Sequence, residues 1–581
     1  MLDLLTSEGV TPAQLDAATP GEHDRYWDIS RRFLAIATQA WPLYLDARGL
    51  SDHVARRDRV LRERARQISE GRVGGLFIAA GSTGTNPATA ELIAAIARHP
   101  RGAVVLPGLD LISSDASFAS VSDEAEPHPG HPQAALAHLM KTLAAARDDV
   151  KPLGRSCRIL AARERALAEA MQPPAFTTRW PETREEARRA GDLDRALAGA
   201  AIIEADNDRE EALAVSLALR RAIRGRNRTA ALITPDRALA ERVGVTLARW
   251  GIEIDDSAGR ALSRSRHGAL AALAAQWLAT PADGAALTAL LSHPNIAIAG
   301  MTHEAMKRAA AAIDIGLLRG YPPLGDLTSL RLLFSTRRGL AGAWSAPRAA
   351  RLLSEEDWTQ AEIALDALIA IEQSFAAAGG ASGRACVGPW VAAHRTALIA
   401  LTADRDEESW LFGEPDGEAL RVLFDALIAA GGERAPLSRA DYPGAIKRLM
   451  DSVTLNPPAR THPRIAIWGL LEARLLRADT IVLGGLNETV WPPQPSPDAF
   501  LNRALRMALG LPLPERRIGQ TAHDFVAAFG GAENAVLTRA KKSGGAPTVP
   551  SRFWQRLAAF AGPAERDREK WSDADKTSAW A

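Results

Sequence analysis

Between Arg503 and Arg556 nine Arg and Lys residues stand against three Asp and Glu, an excess suited to holding phosphates. Its candidate contacts are the adjacent pair Arg516 and Arg517, then Arg539, Lys541 and Arg552, with Arg237 and Arg474 upstream. Two glycine turns follow apolar runs: Gly81-Ser82-Thr83-Gly84, and Gly484-Gly485 with Asn487 and Glu488. Backbone amides in such turns can cradle phosphate, and polar residues at strand ends of a parallel sheet face the crevice where ligands bind. Each feature has a plain structural alternative. Gly and Ser suit any strand-to-helix turn, and Asp236 ahead of a helix reads as an N-cap with Arg237 solvated. Glu472 and Arg474 read equally as a functional pair or an ion pair. Trp468, Trp491 and Phe525 offer faces on which bases could stack, or core packing.

The strings that motor or nuclease chemistry requires do not occur. A phosphate-holding G-x-x-x-x-G-K-[ST] loop is missing, and GSTGTNP has no Lys or Arg where one is needed. The C-terminal REKWSDADKTSAWA lacks the carboxylate-and-lysine constellation of a metal nuclease. Cys157 and Cys386 fit neither a disulfide framework nor a zinc site, and two thiols cannot hold a four-cysteine iron–sulfur cluster. No catalytic residue and no metal ligand is therefore assigned.

The elements that must position these residues alternate in period. Helical spacing of Trp27, Ile29, Phe33, Leu34, Ile36, Trp41 and Leu45 predicts helix from about Asp24 to Arg66, interrupted near Pro42 and Gly49. A strand–turn–helix–strand pattern starts at Gly74, and the polar stretch from Ser113 to Gly130 reads as an exposed loop. A second α/β pattern begins near Ala198. From about Ala269 to Met450 Leu/Ala-rich helical patterns dominate, broken at GYPPLGD from Gly320; α/β character returns at Arg464, with AVLTRA on a strand. The expectation is a helix-rich α/β protein whose parallel sheet is split by a large helical insertion. At 581 residues, two to four compact units are expected. The formal charge of +1 argues against a polybasic coat for nucleic acid, and no long apolar run or leader pattern occurs; the reading is cytoplasmic.

Three ordered segments resemble the AddB family, whose members pair with AddA in a helicase–nuclease that processes broken DNA ends. They are Ala79–Gly84 with Pro87-Ala88-Thr89 and Leu106–Asp110; then Ile233–Arg237 with Ala240, Arg242 and Asp256–Gly259. The third is Trp468–Arg474 with Gly484–Glu488, Trp491-Pro492, Glu515–Gly519, His523-Asp524-Phe525 and Ser551-Arg552. The likeness runs from about Trp27 to Leu557. It implies a helical remnant of a first helicase-like lobe (1–70), the rest of that lobe (71–198), a second lobe in two halves (199–275 and 459–560) around a helical insertion (276–458), and a tail (561–581). It further implies binding of double-stranded DNA ends and single-stranded DNA, and a heterodimer with an AddA-type motor that holds the ATP and magnesium. The family's ATP-binding-like lobe would begin before residue 1. Arg516, Arg517 or Arg539 stands where active relatives carry an arginine that reaches the γ-phosphate. Two further readings stay open: a partner-docking scaffold without DNA contact, and a nucleotide-binding transferase using the GSTG turn.

Overall fold

The computed structural model describes residues 1–18, 24–123, 127–319, 325–343, 348–402, 408–430, 436–455, 461–495 and 498–562. It divides into two compact units, Met1–Ala258 with Pro458–Ala581, and Gly259–Pro457. The chain is a helix-rich α/β protein with a six-stranded parallel sheet. Among the described residues no helix is long and apolar enough to cross a membrane.

In the first unit, helix α1 (His53–Ser69) precedes strand β1 (Phe77–Ala80), helix α2 (Pro87–Arg98) and strand β2 (Gly102–Val105), and β1 pairs parallel with β2. Asn86 starts α2, its side chain accepting from Thr89 N at 3.1 Å, with Pro87 in the first turn where its missing N–H costs nothing. Phe77, Ala79 and Val104 pack against Ala65, Ile68, Ala95 and Ile96 of α1 and α2.

The large sheet follows. Strand β3 (Ala200–Ala205), helix α3 (Asp208–Ala222), strand β4 (Ala230–Ile233), helix α4 (Arg237–Ala248) and strand β5 (Asp255–Asp256) come before the second unit. Strands β6 (Ile465–Trp468), β7 (Thr480–Leu483) and β8 (Asn534–Ala540) come after it, with helix α5 (Arg516–Gly530) between the last two. The spatial order is β3-β8-β7-β4-β6-β5, every pair parallel. Every residue of β4 is buried, as a central strand covered on both faces requires. Arg163 is fully buried without a carboxylate; its guanidinium donates to the carbonyls of Ala196 (2.8 Å), Ala198 (2.7 Å), Phe529 (3.3 Å), Glu533 (3.3 Å) and Ala532. It thereby satisfies orphan acceptors at the end of α5 and at the entry to β3.

The second unit, Gly259–Pro457, is helical around a core that includes Trp277, Phe334, Trp358, Phe375, Trp390, Phe424 and Tyr442. Two-residue antiparallel pairs, Arg260–Ala261 with Thr454–Leu455 and Arg384–Ala385 with Leu437–Ser438, are its strands among the described residues. Residues 320–324 of the GYPPLGD break lie outside the described residues.

One expected loop is in part a helix. Within Ser113–Gly130 the chain forms Asp115–Val121, because Ser114 caps it by accepting from Ser117 N and the Arg147 guanidinium holds the carbonyls of Asp110 and Ser113. Polar composition signalled a loop; here the serines serve as cap and buried hydrogen-bond partners.

Candidate site at the carboxyl edge of the parallel sheet

Turns leaving β4, β5, β6 and β7 meet the end of β8 along one edge. Thr234, just past β4, donates from Oγ1 to Gly484 O at 2.8 Å and accepts from Asp236 N at 3.0 Å. Asp236 is the N-cap of α4, accepting from Ala238 N (2.9 Å) and Leu239 N (3.0 Å). Gly484 is required by close approach: a Cβ there would lie 2.8 Å from Leu239 Cδ2 and 2.9 Å from Leu232 Cδ1. Gly485 follows at φ +75°, a backbone state that disfavours other residues, and its N–H donates to Glu211 Oε1 at 2.8 Å.

Glu211 is the residue that the sequence reading missed. It sits on α3, 3% exposed, and the same Oε1 accepts from Thr538 Oγ1 at 2.7 Å. Burial pushes its carboxyl up against the pull of those two donors, and Asp236 and Asp208 push the same way. Its signal was its place on the face of α3 shared with Val215 and Leu219, both buried.

Arg539, 4% exposed on β8, is fully engaged. It donates from Nε to Asn487 Oδ1 (3.0 Å), from Nη1 to Glu204 (2.5 Å), and from Nη2 to Thr548 O (3.2 Å) and Oγ1 (3.1 Å). Asn487 Nδ2 in turn donates to Ala540 O at 3.1 Å. Arg237 forks onto Asp256 (3.1 and 2.5 Å) and so is not simply solvated. Lys541 Nζ lies 3.3 Å from Asp206, and Arg552 Nε donates to Glu488 at 2.9 Å. Arg474 pairs with Asp524 at 2.8 Å, both nearly buried, which makes it the ion pair rather than an open cation. Arg516 lies 3.6 Å from Glu8, and burial pulls its guanidinium down. Of the seven cations expected to touch phosphates, only Arg517 is exposed without an ion pair among the described residues.

Of the two alternatives for Trp491 and Phe525, the structure has core packing. Trp491 and Phe525 are fully buried with their rings edge to face at 6.1 Å, and the indole N–H donates to Gly484 O at 3.0 Å. A base cannot reach either. Trp468 is half-buried beside the same core. His523 is buried on α5, and burial followed by the Arg474 charge pulls it down to about 4; burial pushes Asp524 up. Glu472 is exposed, its carboxylate folded over Gly469. The turn Gly81–Gly84, at the end of β1, lies against the turn leaving β6, where a Cβ on Gly81 would be 3.2 Å from Leu475 Cδ1; Ser82 Oγ accepts from Gly84 N at 3.2 Å, Thr83 is buried, and Leu139 closes over Gly84.

In the second unit His267, Glu414 and Asp416 have the composition of a metal site, their ligand atoms within 4.8 Å of one another. The Asp416 carboxylate lies 2.9 Å from His267 Nδ1, accepts from His267 N at 3.4 Å and faces the first turns of helices Arg266–Ala279 and Pro415–Ala429, with Arg266 3.9 Å from Glu414. Helix starts and a guanidinium favour an anion there, and Asp416 supplies it.

The carboxyl edge is thus a closed network. Arg237, Arg539 and Lys541 are paired there, and the central carboxylate of Glu211 is buried. No protein-family model and no curated protein matches the chain.

Proposed function

We propose that the chain is a helicase-like, non-motor subunit of an AddAB-type helicase–nuclease, holding DNA ends for an ATP-driven AddA-type partner in double-strand-break repair by homologous recombination. Convergence carries the reading: the second and third segments that resemble AddB meet at one sheet edge, where Thr234 bonds Gly484 across 250 residues, and Gly81 of the first lies against Leu475 in the turn leaving β6. A parallel sheet whose carboxyl-edge pocket is filled by its own side chains suits a lobe that transmits or scans rather than turns over a nucleotide. The reaction chemistry, ATP and magnesium then belong to the partner.

A second reading, a partner-docking scaffold without DNA contact, is favoured by the six paired cations. Binding of a forked duplex by the purified chain separates the two: salt-sensitive binding supports DNA holding, and no binding at low salt supports the scaffold. DNA-stimulated ATP turnover by this chain alone would overturn both.

A further inference from the structure

The N-terminal helices carry positive charge outside any ion pair among the described residues. After Asp24–Ala35 the helix widens into a π turn over Ile36–Ala40 and resumes as Trp41–Asp46, with Pro42 unable to donate back to the preceding turn. Beyond this break three side chains at helical spacing form a ladder. Trp41 and Tyr44 stack with centroids 5.6 Å apart and planes 11° from parallel, and the Arg48 guanidinium carbon lies 3.8 Å over the Tyr44 ring. Both rings are unusually open, 40% and 45% exposed. Arg48 is in no ion pair among the described residues, and the same holds for Arg56 and Arg59, exposed on the first turns of α1, which starts five residues after Arg48. Asp46 and Asp52 lie in the same stretch, and Asp52 is committed to capping α1 through Val54 N and Ala55 N.

A stacked aromatic pair whose end ring, Trp41, stays open beside an arginine outside any ion pair is what an unpaired nucleic-acid strand can use: a π surface for a base and a cation for a phosphate. Duplex DNA hides its base faces and gains only from the cations. We infer that Trp41, Tyr44 and Arg48 form a stacking surface for single-stranded DNA, separate from the sheet edge. The inference rests on the DNA-holding reading above and names the strand that this surface takes.

The test compares oligo(dT) of about 20 nucleotides with a blunt duplex, by anisotropy, on the full chain. The single change Trp41→Ala lowers oligo(dT) affinity roughly tenfold, Trp41→Phe restores most of it, and duplex affinity stays unchanged in both. The two side chains are exposed, so melting temperature stays at the wild-type value and reports a fold left intact. If wild type binds duplex and oligo(dT) but Trp41→Ala together with Tyr44→Ala changes neither, this surface is refuted while DNA holding survives. If wild type binds neither, both fail.

Discussion

Asn487 accepts from Arg539 Nε at 3.0 Å while Arg539 reaches Glu204 with its other nitrogen, so the ends of β7, β8 and β3 are tied by one guanidinium. A residue that resembled a phosphate contact in sequence is here a structural tie. Arg539→Ala leaves Asn487 and Glu204 without their partner and should cost about 3 kcal/mol in urea unfolding. DNA affinity per folded molecule should keep its salt slope; a flattened slope with unchanged stability would return Arg539 to the phosphate-contact role.

Glu211 makes a prediction of opposite character. Its carboxyl is pushed up in the folded chain, so from the unfolded value upward the native state binds more protons and stability falls as pH rises through that window. Glu211→Gln keeps an acceptor for Gly485 N and Thr538 Oγ1 without the buried charge. The variant should gain on wild type as pH rises above the unfolded carboxylate value, about 4.3. A constant difference across that range would show that the ionised form is not penalised.

Histidines act in the other direction. His523 and His131 are pulled down to about 4 by burial, whereas the unfolded side chains protonate near 6.5. Between those values the unfolded chain binds more protons, so the contribution of neutral burial is complete above pH 6.5 and is lost as pH falls toward 4. Each histidine contributes a slope of up to about 1.4 kcal/mol per pH unit. His523→Gln should lessen the loss seen in urea melts taken at pH 7 and pH 5, with His131 and His394, also pulled down by burial, still contributing; an equal loss in the variant would assign the acid sensitivity elsewhere.

Trp491 distinguishes core from surface. Trp491→Ala should cost about 3–5 kcal/mol, because it empties a fully buried site against Phe525 and leaves Gly484 O with Thr234 Oγ1 as its donor, and DNA binding should fall only as folded protein is lost. Near-normal stability with weakened binding would place the indole on a DNA path after all.

Periodicity made the architecture legible. The run AALI at β4 and TIVL at β7 are continuously apolar, as buried parallel strands must be, and the switch to helical spacing after Ala269 marked the helical unit. Asp236 declared itself as a cap by standing just before an apolar helix. Pairing was not legible. Nothing near Arg539 in sequence indicates Glu204, 335 residues away, or that Arg474 would find Asp524 on α5. Local composition shows that a cation is present, and only the fold shows whether a carboxylate has already claimed it. The same limit hid the burial of Trp491, since a tryptophan after a strand reads alike as stacking face or core.

On the function proposed above, the chain holds DNA through charge that its own carboxylates leave free. Anisotropy of a forked duplex, titrated across salt, tests it most directly on wild type, Arg517→Ala and Arg48→Ala. The account predicts tight binding at low salt that falls steeply as salt rises, with each variant lowering the slope of log K against log salt by about 0.7–0.9. Absence of binding at low salt, or a slope that neither variant moves, contradicts it and leaves the partner-docking scaffold.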